Sequence, residues 1–283
     1  MKLVKQSFKF INQTDFSLIG IKKHIERCAR VSYKSEDKIT DTSYEKFVNM
    51  LESRGHDRPL EFGTVHLKME SSKFQGFMQA LYAEGIFNNI WIKSNYNEGV
   101  MYITTNYRYY SDITKRLLNI KEYFTEEDNE YYPKRYTVHM ILDRGVMDEF
   151  RTHVGLSHLA ESTRYCNYSK DKFNNEVTFI EPCWNIKTAN EIITPEGTHK
   201  SSNSYEFLVA LKEAEYHYLN LLAKGWTPQQ ARSVLPLGIK SELISCGFED
   251  AWENFFLRRD ASDAHPMAQE IAKPMHEKFN ELI

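Results

Sequence analysis

The chain has 283 residues, 41% of them apolar, with 36 Lys and Arg against 39 Asp and Glu and a formal net charge of −3. That length supports a sizeable core in one large domain, and a charge so near neutral excludes a general polyanion binder, so any basic patch must be local. The four cysteines (Cys28, Cys166, Cys183 and Cys246) form no C-x-x-C pair, which argues against a zinc ribbon and for reduced thiols, and no metal site is expected. The first residues, MKLVKQSFKFINQ, lack a signal-peptide apolar region. No run approaches the ~20 apolar residues of a membrane span. A soluble, cytoplasmic protein is expected, with no nucleic-acid or membrane partner.

The first 74 residues read as two helices and a strand. His24 to Tyr33, HIERCARVSY, combines helical spacing with a Val-Ser-Tyr end. Tyr44, Phe47, Val48 and Leu51 form an apolar stripe, and Gly55 stands where a helix stop belongs. His56-Asp57-Arg58-Pro59-Leu60-Glu61-Phe62 then precedes an alternating strand through Val65, Leu67 and Met69. A His and a Glu in such a loop make either a capped turn or a binding loop carried on rigid elements.

The alternation continues to residue 142. Phe74 to Phe87 reads as a helix and Val100 to Tyr110 as a strand rich in β-branched and aromatic residues. Lys115 to Phe124 reads as helical, Glu126 to Tyr132 as an acidic, exposed connection, and Tyr136 to Leu142 as another strand. Asn106, Tyr107 and Arg108 read as an exposed polar strand face.

Chemistry concentrates between Asp143 and Tyr168. Val146, Phe150 and Val154 recur at helical spacing and predict an amphipathic helix with His153 near its end. The Glu161-Ser162-Thr163-Arg164-Tyr165 run leaves that helix, because Ser and Thr favour backbone-bonded loops over helix interiors. A hydroxyl beside a guanidinium in such a loop suits a phosphate.

Further on, Val177 to Ile180 reads as a short strand stopped by Pro182, and Lys187 to Ser204 as a surface loop or lid. Tyr205 to Ala223 is the clearest helix, with Phe207, Leu208, Leu211, Ala214, Tyr218, Leu221 and Leu222 as its stripe and Gly225 as its stop. Thr227-Pro228-Gln229-Gln230 is a capping-box start, and the helix it opens carries Ala231-Arg232-Ser233-Val234-Leu235-Pro236. Ala251 to Arg259 turns Trp252, Phe255 and Phe256 inward and ends on Arg258-Arg259, where cations suit the helix dipole.

Four of these segments together resemble the flavin-dependent thymidylate synthases. His153, Ser162 and ESTRY carry the spacing of that family's Arg-His-Arg, seven residues, Ser signature. His56, Pro59 and Glu61 match its His-x-x-Pro-x-Glu segment, ARVSY its N-terminal segment, and Ala231-Arg232-x-Val234-Leu235-Pro236 its nucleotide-binding string. Thr152 and Val154 replace the two arginines that flank the signature histidine, and an Arg is displaced to Arg151. The resemblance implies an α/β (α+β) fold, a single domain over residues 1–283 with a mixed or antiparallel sheet flanked by helices. Shorter members pass almost directly from the His-x-x-Pro-x-Glu strand to the signature helix, so residues 75–135 read as an insertion continuing the sheet.

It also implies a methyltransferase that converts dUMP to dTMP with FAD, NADPH and 5,10-methylenetetrahydrofolate, in a homotetramer whose active sites lie at subunit interfaces. Glu149, Phe150, Arg151, Thr152, Ala160, Glu161, Ser162, Thr163, Arg164, Arg232 and Arg259 would meet dUMP. His56, Arg58, Glu61, Thr152, His153, Val154, Ala160 and Asn254 would meet FAD, with His56 and Arg58 supplied by another chain. Arg259, with Arg258 as the alternative register, would stabilise negative charge on the pyrimidine. The missing flanking arginines leave room for a related pyrimidine nucleotide hydroxymethylase, and a non-catalytic nucleotide-binding homologue is the reading outside enzymes.

Overall fold

The computed structural model describes residues 1–85, 89–184 and 203–283. Residues 187–202 of the expected loop or lid lie outside the described residues, and its last two, 203–204, begin a helix; the helix expected to reach Phe87 ends at Ala83. Strands β1 (Lys2–Val4) and β2 (Ser7–Phe10) lead into helix α1 (Leu18–Val31), capped by Ser17, whose hydroxyl accepts from the Gly20 N–H at 3.1 Å. Helix α2 (Ser43–Ser53) buries Val48 and Leu51, and a 3-10 turn over Arg58–Phe62 delivers the chain into strand β3 (Thr64–Glu70). Helix α3 (Ser71–Ala83) and strands β4 (Ile90–Asn95) and β5 (Val100–Asn106) follow.

The strand expected to run to Tyr110 stops four residues earlier. The Asn106 side chain accepts from the Tyr109 N–H at 2.9 Å and caps helix α4 (Tyr107–Arg116). Tyr107, Tyr109 and Tyr110 become one buried helical face, which their β propensity concealed. Beyond it lie a 3-10 stretch, where a helix was expected, and the two-residue strand β6 (Phe124–Thr125). The connection through Tyr132 is not all exposed: Tyr132 is fully buried, stacked on His66 at 4.0 Å, with Phe16 on the other face of that imidazole at 4.2 Å.

Strand β7 (Arg135–Asp143) feeds helix α5 (Arg144–Phe150), whose start Asp143 caps by accepting from the Val146 N–H at 2.8 Å. The helix ends at Phe150, so Val154 does not share its apolar face and is 88% exposed. Strand β8 (Ser157–Ala160), β9 (Thr178–Ile180), helix α6 (Asn203–Ala223) and the short α7 (Pro228–Ala231) come next. The capping box at Thr227 and Gln230 forms as expected, but its helix lasts one turn. Strand β10 (Lys240–Phe248), helix α8 (Glu249–Arg259) and helix α9 (Pro266–Asn280) complete the chain.

Among the described residues the strands form two four-stranded antiparallel sheets, β2-β7-β10-β8 and β4-β5-β3-β6, and a parallel pair β1-β9. The strands at 90–106 continue the sheet begun by β3, which shares no strand with that of β7. β10 is central: all nine of its residues pair with β7, from Lys240 opposite Asp143 to Phe248 opposite Arg135, and its other edge takes β8. The main core packs one face of this sheet against α5, α8 and α9 through Met140, Phe150, Trp252, Phe255, Phe256 and Phe279. Trp252 satisfies its indole N–H on the Tyr136 carbonyl at 3.1 Å. This packing fixes the ends of α5 and α8 side by side.

Candidate active site

Arg259, the last residue of α8, reaches across to the end of α5. Its Nε–H donates to His153 Nε2 at 2.8 Å and one terminal nitrogen to Glu149 Oε2 at 2.8 Å. The other donates to the Glu149 carbonyl at 2.9 Å and the Thr152 hydroxyl at 3.3 Å. Among the described residues four of the five guanidinium donors are thus engaged and one N–H meets no partner. Accepting from Arg259 requires His153 to carry its proton on Nδ1. Desolvation, reinforced by Arg259 and Arg258, lowers the His153 pKa to about 4, so the imidazole is neutral near pH 7.

Gly155 lets the chain turn straight back from His153. Its φ of +94° is left-handed, and a Cβ there would stand 3.0 Å from the Ala251 Cβ. The turn returns the chain into β8, where His158 bonds Ser245 at 2.8 Å and approaches the His153 carbonyl at 3.4 Å. In front of these groups lies a cavity of about 900 Å³, lined by Glu149, Thr152, His153, Asn254, Arg258 and Arg259. Val154 and Leu257, 88% and 72% exposed, add apolar surface to it.

A second cluster holds the ESTRY loop. The Ser162 N–H donates to the Ser32 carbonyl at 2.9 Å, joining the loop to the ARVSY segment, and Tyr33 packs on Tyr165 at 5.3 Å. Arg232 donates to the Thr163 hydroxyl at 3.0 Å, while Arg164 lies over the Tyr165 ring, exposed. Beneath the loop runs a buried chain of charges. Glu161 accepts from Lys240 at 2.7 Å and from the Tyr168 hydroxyl at 3.1 Å. Lys240 also meets Glu242 at 2.5 Å, and Glu242 takes Lys34 at 2.9 Å and His139 at 2.8 Å. Burial alone would raise the Glu242 pKa, but the His139 hydrogen bond and the Lys240 and Lys34 charges hold it well below the carboxylate range. Lys34 itself has φ +48°, a strained backbone for a non-glycine residue.

The third cluster is the 56–62 loop. Glu61 accepts from Arg108 at 2.6 Å through Oε1 and from the Ser157 hydroxyl at 2.6 Å through Oε2, with Arg58 at 3.7 Å. His56 and Arg58 are exposed.

The structure therefore gathers Glu149, Thr152, His153, Val154, Asn254, Arg258 and Arg259 around one cavity. Ser162, Thr163, Arg164 and Arg232 gather at the loop, with Ala160 and Glu161 behind them. Phe150 is fully buried, so its side chain belongs to the core. Arg151 is exposed and pairs with Asp148 at 3.5 Å, away from the cavity lining. Sequence reasoning missed Lys34, Lys240, Glu242 and His139. The one local signal was Lys240 and Glu242 two residues apart, on the same face of a strand. Among the described residues no group of His, Cys, Asp and Glu could hold a metal, and no helix is long and apolar enough to cross a membrane.

The family model for thymidylate synthase complementing protein, Thy1, matches residues 134–283, just over half of the chain. A comparison with curated proteins finds no match. Among solved structures the chain is similar to two crystal structures of the UMP/dUMP methylase PolB from Streptomyces cacaoi. The one bound with 5-Br UMP shares 15% identity at a TM-score of 0.44, covering 100% of this chain and 92% of that one. The one bound with 5-Br dUMP shares 16% identity at a TM-score of 0.43, covering 100% and 93%.

Proposed function

The chain belongs to the thymidylate synthase complementing protein family, Thy1, and on that premise we propose that it is a flavin-dependent enzyme that methylates dUMP to dTMP. FAD is the hydride carrier, 5,10-methylenetetrahydrofolate the one-carbon donor and NADPH the reductant. The observation that carries this reading is Arg259, oriented by Glu149, Thr152 and His153 at the edge of a roomy cavity, with one donor uncommitted among the described residues.

C5 of uracil is a poor nucleophile until electron density is pushed into the ring. Thiolate addition at C6 is one way, but no cysteine lines the cavity and burial raises the Cys28 and Cys166 pKa values, the latter to about 12. A preorganised guanidinium at N3 and O4 is another. Arg259 takes that role, and neutral His153 supports it without competing as a second cation. Arg164 and Arg232 supply charge-assisted donors to the nucleotide phosphate, and Ser162 and Thr163 supply hydroxyls.

The cavity residues fit a flavin. About 900 Å³ lies at the upper end of the ~300–1,000 Å³ typical of ligand pockets. Val154 and Leu257 offer apolar surface to a ring, and the Asn254 amide can both donate and accept along a ring edge. Arg258, which makes no ion pair among the described residues, offers charge to an anionic tail. When bound, the reduced flavin supplies the hydride. In the proposed homotetramer, His56 and Arg58, exposed on the 56–62 loop, would serve a neighbouring subunit's flavin.

The purified protein is expected to be yellow, with a visible band that bleaches on NADPH, faster when dUMP is present. A colourless protein that takes up no FAD sinks the reading and favours a non-catalytic nucleotide binder. Val154, exposed where the family carries an arginine, favours one second reading, a hydroxymethylating variant. Mass analysis of the product from dUMP and labelled methylenetetrahydrofolate separates the two.

A further inference from the structure

Glu61 reads from sequence as a ligand-binding carboxylate, and in the structure each of its two oxygens already accepts one hydrogen bond from the protein. One oxygen takes Arg108 at 2.6 Å; the other takes the Ser157 hydroxyl at 2.6 Å and has Arg58 at 3.7 Å. Three separate stretches meet at that carboxylate: the 56–62 loop, α4 and the first residue of β8. Two backbone-level contacts reinforce the junction. The Tyr107 N–H donates to the Gly63 carbonyl at 2.8 Å, and Arg135 donates to the Glu61 carbonyl at 2.7 Å. From Ser157 the chain leads, through His158, back to the His153 carbonyl at 3.4 Å.

We infer that Arg108 is a positioning residue, which acts through Glu61 to lock the loop bearing His56 and Arg58 to the strand that follows His153. Arg108 lies within the 75–135 segment, so the segment has a stated task at the site: it supplies the cation that fixes the loop. Asp57, 3.7 Å from the same guanidinium, and Asp112 add negative charge around Arg108, while Arg58 shares its Glu61 carboxylate and Arg116 lines the same pocket. The loop's link to flavin rests on the proposed function, whereas its link to Arg108 does not.

The test is amide hydrogen exchange on the flavin-free protein, alongside FAD and dUMP titrations, for wild type, Arg108→Met, Arg108→Lys and Glu61→Gln. In Arg108→Met the amides of Leu60 to Phe62 should exchange about tenfold faster, with those of α5 and α8 unchanged, since one charge-assisted bond to a half-buried group is lost. FAD should bind about fivefold more weakly while the Kd for dUMP stays within about twofold, and Arg108→Lys should recover most of the loss as a point charge without the fork. Should Arg108→Met not fold, Glu61→Gln keeps the volume, removes the charge and should shift exchange and FAD affinity in the same direction by about threefold. Loop exchange within about twofold of wild type in the variants overturns the assignment. A wild type that binds no FAD, with the exchange effect intact, overturns the functional reading and leaves the positioning role standing.

Discussion

Removing Lys240 tests whether the buried charges under the ESTRY loop act as one unit. Its Nζ bridges Glu161, whose side chain is fully buried, at 2.7 Å, and Glu242, 7% exposed, at 2.5 Å. Breaking a buried pair by deleting one partner costs ~3–5 kcal/mol, because the survivor is left charged and unpaired. The two survivors differ here. Among the described residues Glu242 keeps Lys34 and His139, but the Glu161 carboxylate keeps only the Tyr168 hydroxyl, so most of the loss falls on Glu161. Lys240→Met should therefore destabilise by about 3 kcal/mol, at the low end of that range.

Neutralising the survivor should return much of this. In Lys240→Met with Glu161→Gln the remaining cost should fall to about 1 kcal/mol, so the coupling between the sites should be about 2 kcal/mol plus whatever Glu161→Gln costs alone. Urea unfolding of the wild type, both single variants and the double variant reads it directly. Losses that simply add, with coupling below about 0.5 kcal/mol, would refute a shared network. The loop consequence is separate: KM for dUMP should rise about tenfold in Lys240→Met, with kcat changed less, since phosphate binding rather than ring activation is disturbed.

Other perturbations have equally definite outcomes. Arg259→Ala should lower kcat by about 10²–10³, the cost of losing one preorganised donor, and Arg258→Ala by much less; a larger loss in Arg258→Ala would reverse the assignment. Arg232→Ala should raise KM for dUMP and leave the rate of flavin bleaching by NADPH unchanged without dUMP. Gly155→Ala should cost ~2 kcal/mol or more by thermal unfolding, because φ +94° is strained for any side chain and the new methyl meets Ala251 at 3.0 Å. Acid should unfold the protein early. Desolvation holds His24 at about 3 and His66, His153 and His158 at about 4, below the ordinary 6.5. The unfolded chain therefore takes up protons first, and stability falls as pH drops from about 6.5 toward 4, by roughly 3 kcal/mol per histidine at most. Equal urea midpoints at pH 7.5 and 5 would contradict this.

Which parts of the fold were legible follows from where their causes lie. Helices α2, α6 and α8 carry their determinants locally, as an apolar stripe with a stop or an inward aromatic triplet, and they appear within a few residues of expectation. Strand β10 does not. It is covered on both faces, so Lys240, Ser241, Glu242, Ser245 and Gly247 interrupt the apolar run that would announce a buried strand. Helix α9 was hidden by Pro274 inside it. Val154 was misplaced because periodicity cannot see the stop at Phe150.

The candidate site divides the same way. His153 and the ESTRY loop stand out because their residue types cluster in thirteen positions of sequence. The groups that hold them do not. Glu161 meets Lys240 across 79 residues, Lys34 meets Glu242 across 208, and Arg108 meets Glu61 across 47. Each pair joins two segments that are individually unremarkable, and register on β10 decides which side of the sheet the charges share. A shift of β10 by one residue would turn Glu242 away from Lys34 and His139 and put an uncharged neighbour, Ser241 or Leu243, in its place. The candidate cluster is thus written in one segment, while its contacts run to the central strand β10 and to helix α4, which carry no motif of their own.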